Sequence, residues 1–346
     1  PLVSSVSSTA VDSSYIIGDT LAITVVFSEA VAVTGTPKLT LETGTSDAVI
    51  YYAAGSGTST LSFEYVVASG HTSSDLNYAD TTSLTLNGGT VRDTAGNDAS
   101  LTLPGPDSTG ALGVNKALVI DGIVPTVNSV TSAVADGLFK LGDTLAITIT
   151  FSEAITVTGT PQLTLETGNN DAVVDYSSGG GTSILTFQYL ITAGDSTSDL
   201  DYVGAIALGL NSGSIRDTAG NNATPILPEP GASYSLGYNK ALVIDGLVPT
   251  IFSVTSTAAD TVYKIDDLIA VIITLSEAVV VDTTGGKPQI ILETGATNAI
   301  ADYSSGSGSA TLTFNYTVAS GNSRNDLDYT SDSALTLNGG TIVDAA

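Results

Sequence analysis

The chain has 346 residues, of which 42% are hydrophobic, and its 35 acidic residues outnumber its 9 lysines and arginines to give a formal net charge of −26. This charge repels phosphate and argues against binding to nucleic acids or anionic membranes, while the hydrophobic share excludes general disorder, and no apolar run reaches the roughly 20 residues of a membrane-spanning helix. Cysteine is absent, so disulfides do not stabilise the fold.

The sequence repeats itself with a domain-sized period. The segment GDTLAITVVFSEAV at residues 18–31 returns as GDTLAITITFSEAI at 142–155 and, more loosely, as DDLIAVIITLSEAV at 266–279, which gives a period of 124 residues. This period excludes solenoid units of about 20 to 50 residues. We therefore predict three domains, at residues 1–122, 123–246 and 247–346.

The third repeat differs from the first two near its end. A three-residue insertion in DTTGGKP at 282–288 shifts the later alignment, so that Asp344 corresponds to Asp217. The segment NKALVIDG, found at 115–122 and again at 239–246, has no counterpart in the third repeat, which is therefore expected to lack its final strand. We expect the chain to be a segment of a longer polypeptide; a head-to-tail polymer completed by a neighbour's strand would give the same sequence.

Alternating apolar residues predict β-strands in every repeat. In the second repeat Leu145, Ile147, Ile149 and Phe151 alternate with alanine and threonine, and the same period of two continues in later segments separated by glycine- and asparagine-rich turns. One strand face is thus apolar and the other polar. The number and spacing of these strands predict an all-β fold with a sandwich of about seven or more strands in each repeat.

The predicted strand directions bring acidic residues from adjoining repeats to the same pole of the sandwich. Ca²⁺ suits several carboxylate and carbonyl oxygens on loops, and it would neutralise carboxylates that otherwise repel one another. We predict a calcium site at each junction between repeats. The expected ligands are Asp121, Glu153 and Asp217, with Asn221 as a weaker candidate, at the first junction; Asp245, Glu277 and Asp344 at the second; and Glu29 and Asp93 at the start, where a third acid is missing.

Other roles for these acids stay open. Aspartate in the DTAGN and IDG segments can close a turn through its own side chain without any metal. A second possible metal location is the opposite pole, which we expect to carry solvated charge; its acids are Asp19, Glu42, Asp47, Asp143, Glu166 and Asp171. The chain has no DxDxDG loop and no tandem GGxGxD repeat, so the calcium prediction depends on topology.

The repeated segments GDTLAITxxFSEAV, xRDTAGN and VIDGxVPTxxSV resemble the tandem bacterial immunoglobulin-like repeats of large adhesins, S-layer proteins and other extracellular proteins. The resemblance covers all three repeats. It implies immunoglobulin-like (cadherin-like) β-sandwich domains in an extended rod outside the cell, with adjoining repeats of the same or neighbouring chains as partners. One expected function is a calcium-stiffened stalk of a surface adhesin, and the other is a self-assembling subunit of a fibre, sheath or S-layer.

Catalysis and glycan binding are weaker alternatives. His71 is the only histidine and lies in a polar loop, so a serine or cysteine nucleophile with a histidine base is not expected, and the acids lie in repeated turns instead of one cleft. We expect no enzyme. Tyrosines beside loops could bind surface glycans, although the chain has no tryptophan for stacking; they are Tyr51, Tyr52, Tyr176 and Tyr303.

Overall fold

The computed structural model describes all 346 residues and consists almost entirely of β-strands. Its two α-helices have 4 residues each, and no helix is long and apolar enough to cross a membrane. The first repeat contains β1 (Val3–Ser8), β2 (Ser13–Ile16), β3 (Thr20–Thr34), β4 (Lys38–Glu42), β5 (Ala48–Ala54), β6 (Thr58–Val66), β7 (Thr72–Ser73), β8 (Asn77–Tyr78), β9 (Leu84–Thr85), β10 (Thr90–Arg92), α1 (Leu112–Asn115) and β11 (Leu118–Asp121).

The second and third repeats contain the same elements with a few omissions. The second contains β12 (Val127–Ser132), β13 (Gly137–Lys140), β14 (Thr144–Thr158), β15 (Gln162–Leu165), β16 (Ala172–Ser178), β17 (Thr182–Leu190), β18 (Ser196–Thr197), β19 (Leu208–Gly209), β20 (Ser214–Asp217), α2 (Leu236–Asn239) and β21 (Leu242–Asp245). The third contains β22 (Ile251–Ser256), β23 (Leu268–Asp282), β24 (Gln289–Glu293), β25 (Ala299–Ser305), β26 (Ser309–Thr317), β27 (Asp328–Tyr329), β28 (Leu335–Thr336) and β29 (Thr341–Asp344).

Two sheets enclose one hydrophobic core in the first repeat. The larger sheet runs β1-β3-β6-β5-β4-β8, with β10 paired to β3 and β9 paired to β4, and the smaller sheet runs β2-β11-β7. Within the smaller sheet β11 is parallel to β2 and antiparallel to β7. Leu118 and Ile120 of β11 belong to the same buried cluster as Leu21 and Ile23 of β3. The second repeat has the same arrangement, so the predicted all-β fold of tandem sandwiches is confirmed.

The strand that contains the Ser-Glu-Ala segment pairs with different partners along its length. The first half of β14 pairs with β12 and β17, and the pairing is irregular between Thr150 and Ile155. Beyond this irregularity its second half pairs with β20. Glu153 lies at the irregularity, beside the end of β20. The local interruption of this long strand thus places an acidic side chain at the end of the sandwich. β-Bulges commonly redirect a side chain in this way.

The third repeat lacks the smaller sheet. Its core cluster contains 13 buried residues, against 23 and 22 in the other two, so it buries less apolar surface. Leu145 and Ile147 of the second repeat are 0% exposed, whereas their counterparts Ile269 and Val271 are 7% and 5% exposed. The larger sheet is nevertheless complete, with β29 paired to β23.

Candidate metal centre at the junctions between repeats

Three carboxylates from two repeats meet at the first junction. Asp121 ends β11 of the first repeat, Glu153 lies in β14, and Asp217 ends β20 of the second repeat. One oxygen of each carboxylate lies within 4.8 Å of the others. The structure therefore brings together the three acids that the sequence analysis placed at this pole, and their role as metal ligands stays a prediction.

The Glu153 carboxylate is poorly compensated. Its Oε1 atom is buried and has no hydrogen-bond partner. Burial raises the pKa of Glu153 above its ordinary value, and the negative charges of Asp217 and Asp121 raise it further. Buried polar groups in proteins nearly always have a partner, so an orphaned carboxylate oxygen beside two other acids is an arrangement that a bound cation would stabilise.

Asp217 closes a turn as well as facing the other two acids. Its Oδ1 accepts hydrogen bonds from the backbone N–H groups of Gly220 (2.6 Å) and Asn221 (2.8 Å). The side chain is buried, at 2% exposure. Turn closure and metal binding are therefore compatible here, because a carboxylate has about four acceptor positions and Oδ2 receives only the Asn221 amide.

Asn221 connects the two repeats by hydrogen bonds. Its Oδ1 accepts the N–H of Ile17 (3.1 Å), and its Nδ2 donates to the carbonyl oxygen of Asp121 (2.9 Å). Both partners belong to the first repeat. The amide oxygen that could have coordinated a metal is thus bonded to Ile17, so Asn221 acts in the structure as a bridge across the junction beside the carboxylates.

The second junction repeats the arrangement of acids. Asp245, Glu277 and Asp344 also offer oxygens within 4.8 Å of one another. Oε1 of Glu277 is buried without a partner, and burial, then the charges of Asp344 and Asp245, raise the pKa of Glu277. Two independent junctions therefore share the same uncompensated glutamate.

At the start of the chain the pair Glu29 and Asp93 has no third acid beside it. Glu29 lies 3.4 Å from the terminal amino group of Pro1. Asp93 accepts hydrogen bonds from Ala95 and from the backbone and side chain of Asn97. The Asn97 hydrogen bonds lower the pKa of Asp93. These hydrogen bonds close a turn, and the role of Glu29 and Asp93 as metal ligands stays a prediction.

The acids at the opposite pole do not form a cluster of three. Asp19 and Asp143 accept the backbone N–H groups of Ile16 and Lys140, and Glu42 and Glu166 accept those of Gly44 and Gly168. Only the two junction groups bring three acids together. Four of the acids at this pole are exposed, in agreement with the expected solvated charge; they are Glu42, Asp47, Glu166 and Asp171.

Sequence reasoning missed the structural role of the position occupied by His71. His71 accepts the N–H of Ala68 at Nδ1 (3.2 Å), and the same nitrogen lies 3.1 Å from the hydroxyl of Tyr65. The second and third repeats place an acceptor of different chemistry in the same position. The corresponding groups are Asp195 with Tyr189 and Thr192, and Asn322 with Tyr316 and Ala319. The shared need is an acceptor, which a residue-by-residue comparison of histidine, aspartate and asparagine does not reveal.

The tyrosines considered for glycan binding pack mainly within the fold. Tyr52, Tyr176 and Tyr303 each contact a phenylalanine edge-on, at ring-centroid distances of 6.3, 6.2 and 5.8 Å. The hydroxyls of Tyr52 and Tyr176 accept backbone N–H groups of the hairpins. Tyr51 is the exposed member of the set, at 53%.

Comparison with known proteins gives likeness to solved structures only. No protein-family profile and no curated protein matches the chain. Among solved structures, the I-band fragment I67-I69 from titin is similar, with 11% sequence identity and a TM-score of 0.31 over 92% of this chain and 88% of that chain. So low a score adds nothing to the fold assignment, which rests on the sheets and core clusters described above.

Proposed function

We propose that the chain is a structural, non-catalytic repeat segment in which Ca²⁺ bound between successive sandwiches stiffens an extracellular stalk of a large bacterial surface adhesin. The observation that carries this proposal is the pair of junctions at which three carboxylates converge around a buried glutamate oxygen without a partner. The bacterial surface and the adhesin are supported by the sequence resemblance alone.

The donor chemistry favours a hard cation. Both groups consist of carboxylates, with neither histidine nor cysteine, and oxygen ligands on loops and strand ends suit Ca²⁺. Asp121 and Asp245 each belong to the repeat before the junction, while the other two acids belong to the repeat after it. An ion held by all three would therefore bind best when the two repeats keep this relative position.

The stiffening follows from linkage. Without a cation the three negative charges repel, and separation of the repeats relieves that repulsion. With a cation, separation removes at least one ligand, so the free energy of binding opposes bending at the junction. Asn221 also opposes bending at the first junction without calcium, through its hydrogen bonds to Ile17 and Asp121.

Calorimetry combined with solution scattering tests this proposal. We expect wild-type chain to bind two Ca²⁺ ions and to show a longer, narrower distance distribution with calcium than with a chelator. The double variant Glu153→Gln and Glu277→Gln should lose both effects. Glu29→Gln is the matched control, because Glu29 occupies the same strand position without a complete trio, and it should behave as wild type. No calcium binding by the wild type, or equal binding by the double variant, would refute the junction sites.

The same scattering measurements address the alternative function. That alternative is a self-assembling subunit of a fibre, sheath or S-layer, and it is supported by the sequence resemblance alone. Particles that grow with protein concentration into filaments or sheets would support the assembling subunit, and concentration-independent monomers would support the stalk.

A further inference from the structure

Asn221 holds two of the three acids at the first junction from outside their cluster. Its Nδ2 donates to Oδ2 of Asp217 (2.8 Å) and to the carbonyl oxygen of Asp121 (2.9 Å), and its backbone N–H donates to Oδ1 of Asp217 (2.8 Å). The residue is 3% exposed. One buried side chain therefore fixes the carboxylate of Asp217 and the backbone of Asp121 relative to each other, whereas Oε1 of Glu153 has no partner.

The contacts of Asn221 also determine which edge of its amide faces the acids. An asparagine side chain has two donor protons and an acceptor oxygen. Nδ2 donates to the acceptors on Asp217 and Asp121, and Oδ1 accepts the N–H of Ile17 (3.1 Å). Exchange of oxygen and nitrogen would place Oδ1 against two acceptors and the NH₂ group against a donor. The amide edge beside the carboxylates is thus the NH₂ group, which donates hydrogen bonds and cannot coordinate a cation.

The first repeat shows that part of this arrangement belongs to a single repeat. Asn97 donates its backbone N–H to Oδ1 of Asp93 (2.8 Å) and its Nδ2 to Oδ2 of Asp93 (2.7 Å). These bonds are the counterparts of the two bonds between Asn221 and Asp217. The bonds from Asn221 to Asp121 and Ile17 are additional, because both partners belong to the adjoining repeat. Asn221 thus adds to a local turn two contacts that set the position of the first repeat beside Asp217.

These contacts bear directly on the affinity of the three acids for an ion. Neighbouring carboxylates repel one another, and a mobile side chain loses rotamer freedom when it binds a ligand. The Asp217 side chain has already lost this freedom, and the NH₂ group of Asn221 offsets part of its negative charge. Removal of a residue that hydrogen-bonds to metal-binding groups typically lowers metal affinity by about 10- to 100-fold.

We propose that Asn221 is a positioning residue of the first junction: it strengthens Ca²⁺ binding by holding Asp217 and Asp121 in place, and it does not coordinate the ion. This inference rests on the proposed calcium function, and it assigns Asn221 a role other than the weaker ligand expected from the sequence. The same contacts couple the ion to the first repeat. Calcium that holds Asp217 and Asp121 also stabilises the bond between Asn221 and Ile17, so calcium should slow hydrogen exchange at the Ile17 amide.

Calorimetric titration with Ca²⁺ tests the effect on affinity. All proteins are full chains with Glu277→Gln, which removes the second site and leaves the first. We expect Asn221→Ala to weaken binding at least about tenfold. Asn221→Leu retains a buried side chain without the amide and should weaken binding to the same extent, which separates the hydrogen bonds from packing. Asn97→Ala is the matched control, because it removes the corresponding bond outside the junction, and it should keep the parental affinity.

Terbium luminescence distinguishes positioning from coordination. Tb³⁺ replaces Ca²⁺ at oxygen sites, and its emission lifetimes in H₂O and D₂O give the number of water molecules bound to the ion. With saturating Tb³⁺, Asn221→Ala should keep the parental number of bound waters, because no ligand is lost. Water takes the place of a ligand that is removed, so an additional bound water in Asn221→Ala would show coordination by Asn221 and overturn the proposal.

The titrations also separate this inference from the proposed function. If the Glu277→Gln chain binds no Ca²⁺, or if addition of Glu153→Gln leaves its binding unchanged, the junction site is refuted and the inference fails with it. If that chain binds Ca²⁺ through Glu153 but Asn221→Ala and Asn221→Leu keep the parental affinity, the site stands and positioning by Asn221 is refuted. Unchanged exchange at the Ile17 amide on addition of calcium would refute the coupling to the first repeat.

Discussion

Replacement of Asn221 by alanine tests how strongly the first two repeats are coupled without calcium. The Asn221 side chain is 3% exposed and takes part in three hydrogen bonds. Two of them reach the first repeat, at Ile17 and Asp121, and the third holds the Asp217 carboxylate within the second repeat. The substitution therefore removes one internal contact and two contacts across the junction.

The expected loss follows from these contacts. A hydrogen bond contributes a net ~1 kcal/mol, so the three together contribute about 3 kcal/mol. Asn97 provides the matched control, because it makes the corresponding bond to Asp93 but is exposed and has no preceding repeat beside it. Asn97→Ala should cost about 1 kcal/mol. The difference of about 2 kcal/mol is the part that belongs to the junction.

Native-state hydrogen exchange in the presence of a chelator is the suitable assay, since unfolding of three tandem domains is not a two-state process. The opening free energy at the Ile17 amide should fall in Asn221→Ala and stay unchanged in Asn97→Ala. Equal effects of the two substitutions, or unchanged exchange at Ile17, would refute the conclusion that Asn221 joins the repeats.

Two further predictions concern titration and the shared acceptor position. Burial and neighbouring negative charges raise the pKa of Glu153 and Glu277 in the folded state above the ordinary 4.5, so the folded state keeps their protons to higher pH than the unfolded state does. In a chelator, the stability that these protonated glutamates contribute should be full below about pH 4.5. It should be lost as pH rises through the raised pKa values. Urea unfolding over a pH series should show this fall in the wild type relative to the Glu153→Gln and Glu277→Gln double variant, and identical pH profiles would contradict it. His71→Asn should change the unfolding free energy of the first repeat by less than about 0.5 kcal/mol, because Asn322 accepts hydrogen bonds from the same two kinds of donor in the third repeat. His71→Ala should lower the unfolding free energy by about 2 kcal/mol, because two hydrogen bonds are lost. Equal stability of the two variants in calorimetric unfolding would disprove the acceptor role.

Alternation of apolar residues was sufficient to predict the main strands. The series Leu145, Ile147, Ile149 and Phe151 lies in β14 and is buried as expected. Alignment of the repeats also allowed the acids to be placed, because the predicted strand directions bring Asp121 to the pole that holds Glu153. These features depend on local pattern and on chain direction, both of which are visible in one sequence.

Other features depend on contacts that one sequence does not display. The smaller sheet requires parallel pairing of β11 with β2, whose residues lie about one hundred positions earlier and carry no distinctive pattern. The bridge made by Asn221 required knowledge of how two repeats meet, and its amide was predicted only as a weaker metal ligand. The helices α1 and α2 are single turns, too short for helical periodicity to reveal.

The position of Glu153 also limits how β14 can pair. The glutamate has the same odd-numbered parity as Leu145 through Phe151 and Ile155, so the alternation would direct it inward. Apolar alternation by itself tolerates a slip of two residues along β17, because apolar positions would again meet apolar positions. Such a slip would carry a carboxylate into the buried place of Phe151, at a cost of several kcal/mol. One misfit acid thus strongly disfavours the misaligned sheet that the surrounding sequence would otherwise allow, and this penalty requires neither a neighbouring repeat nor an ion.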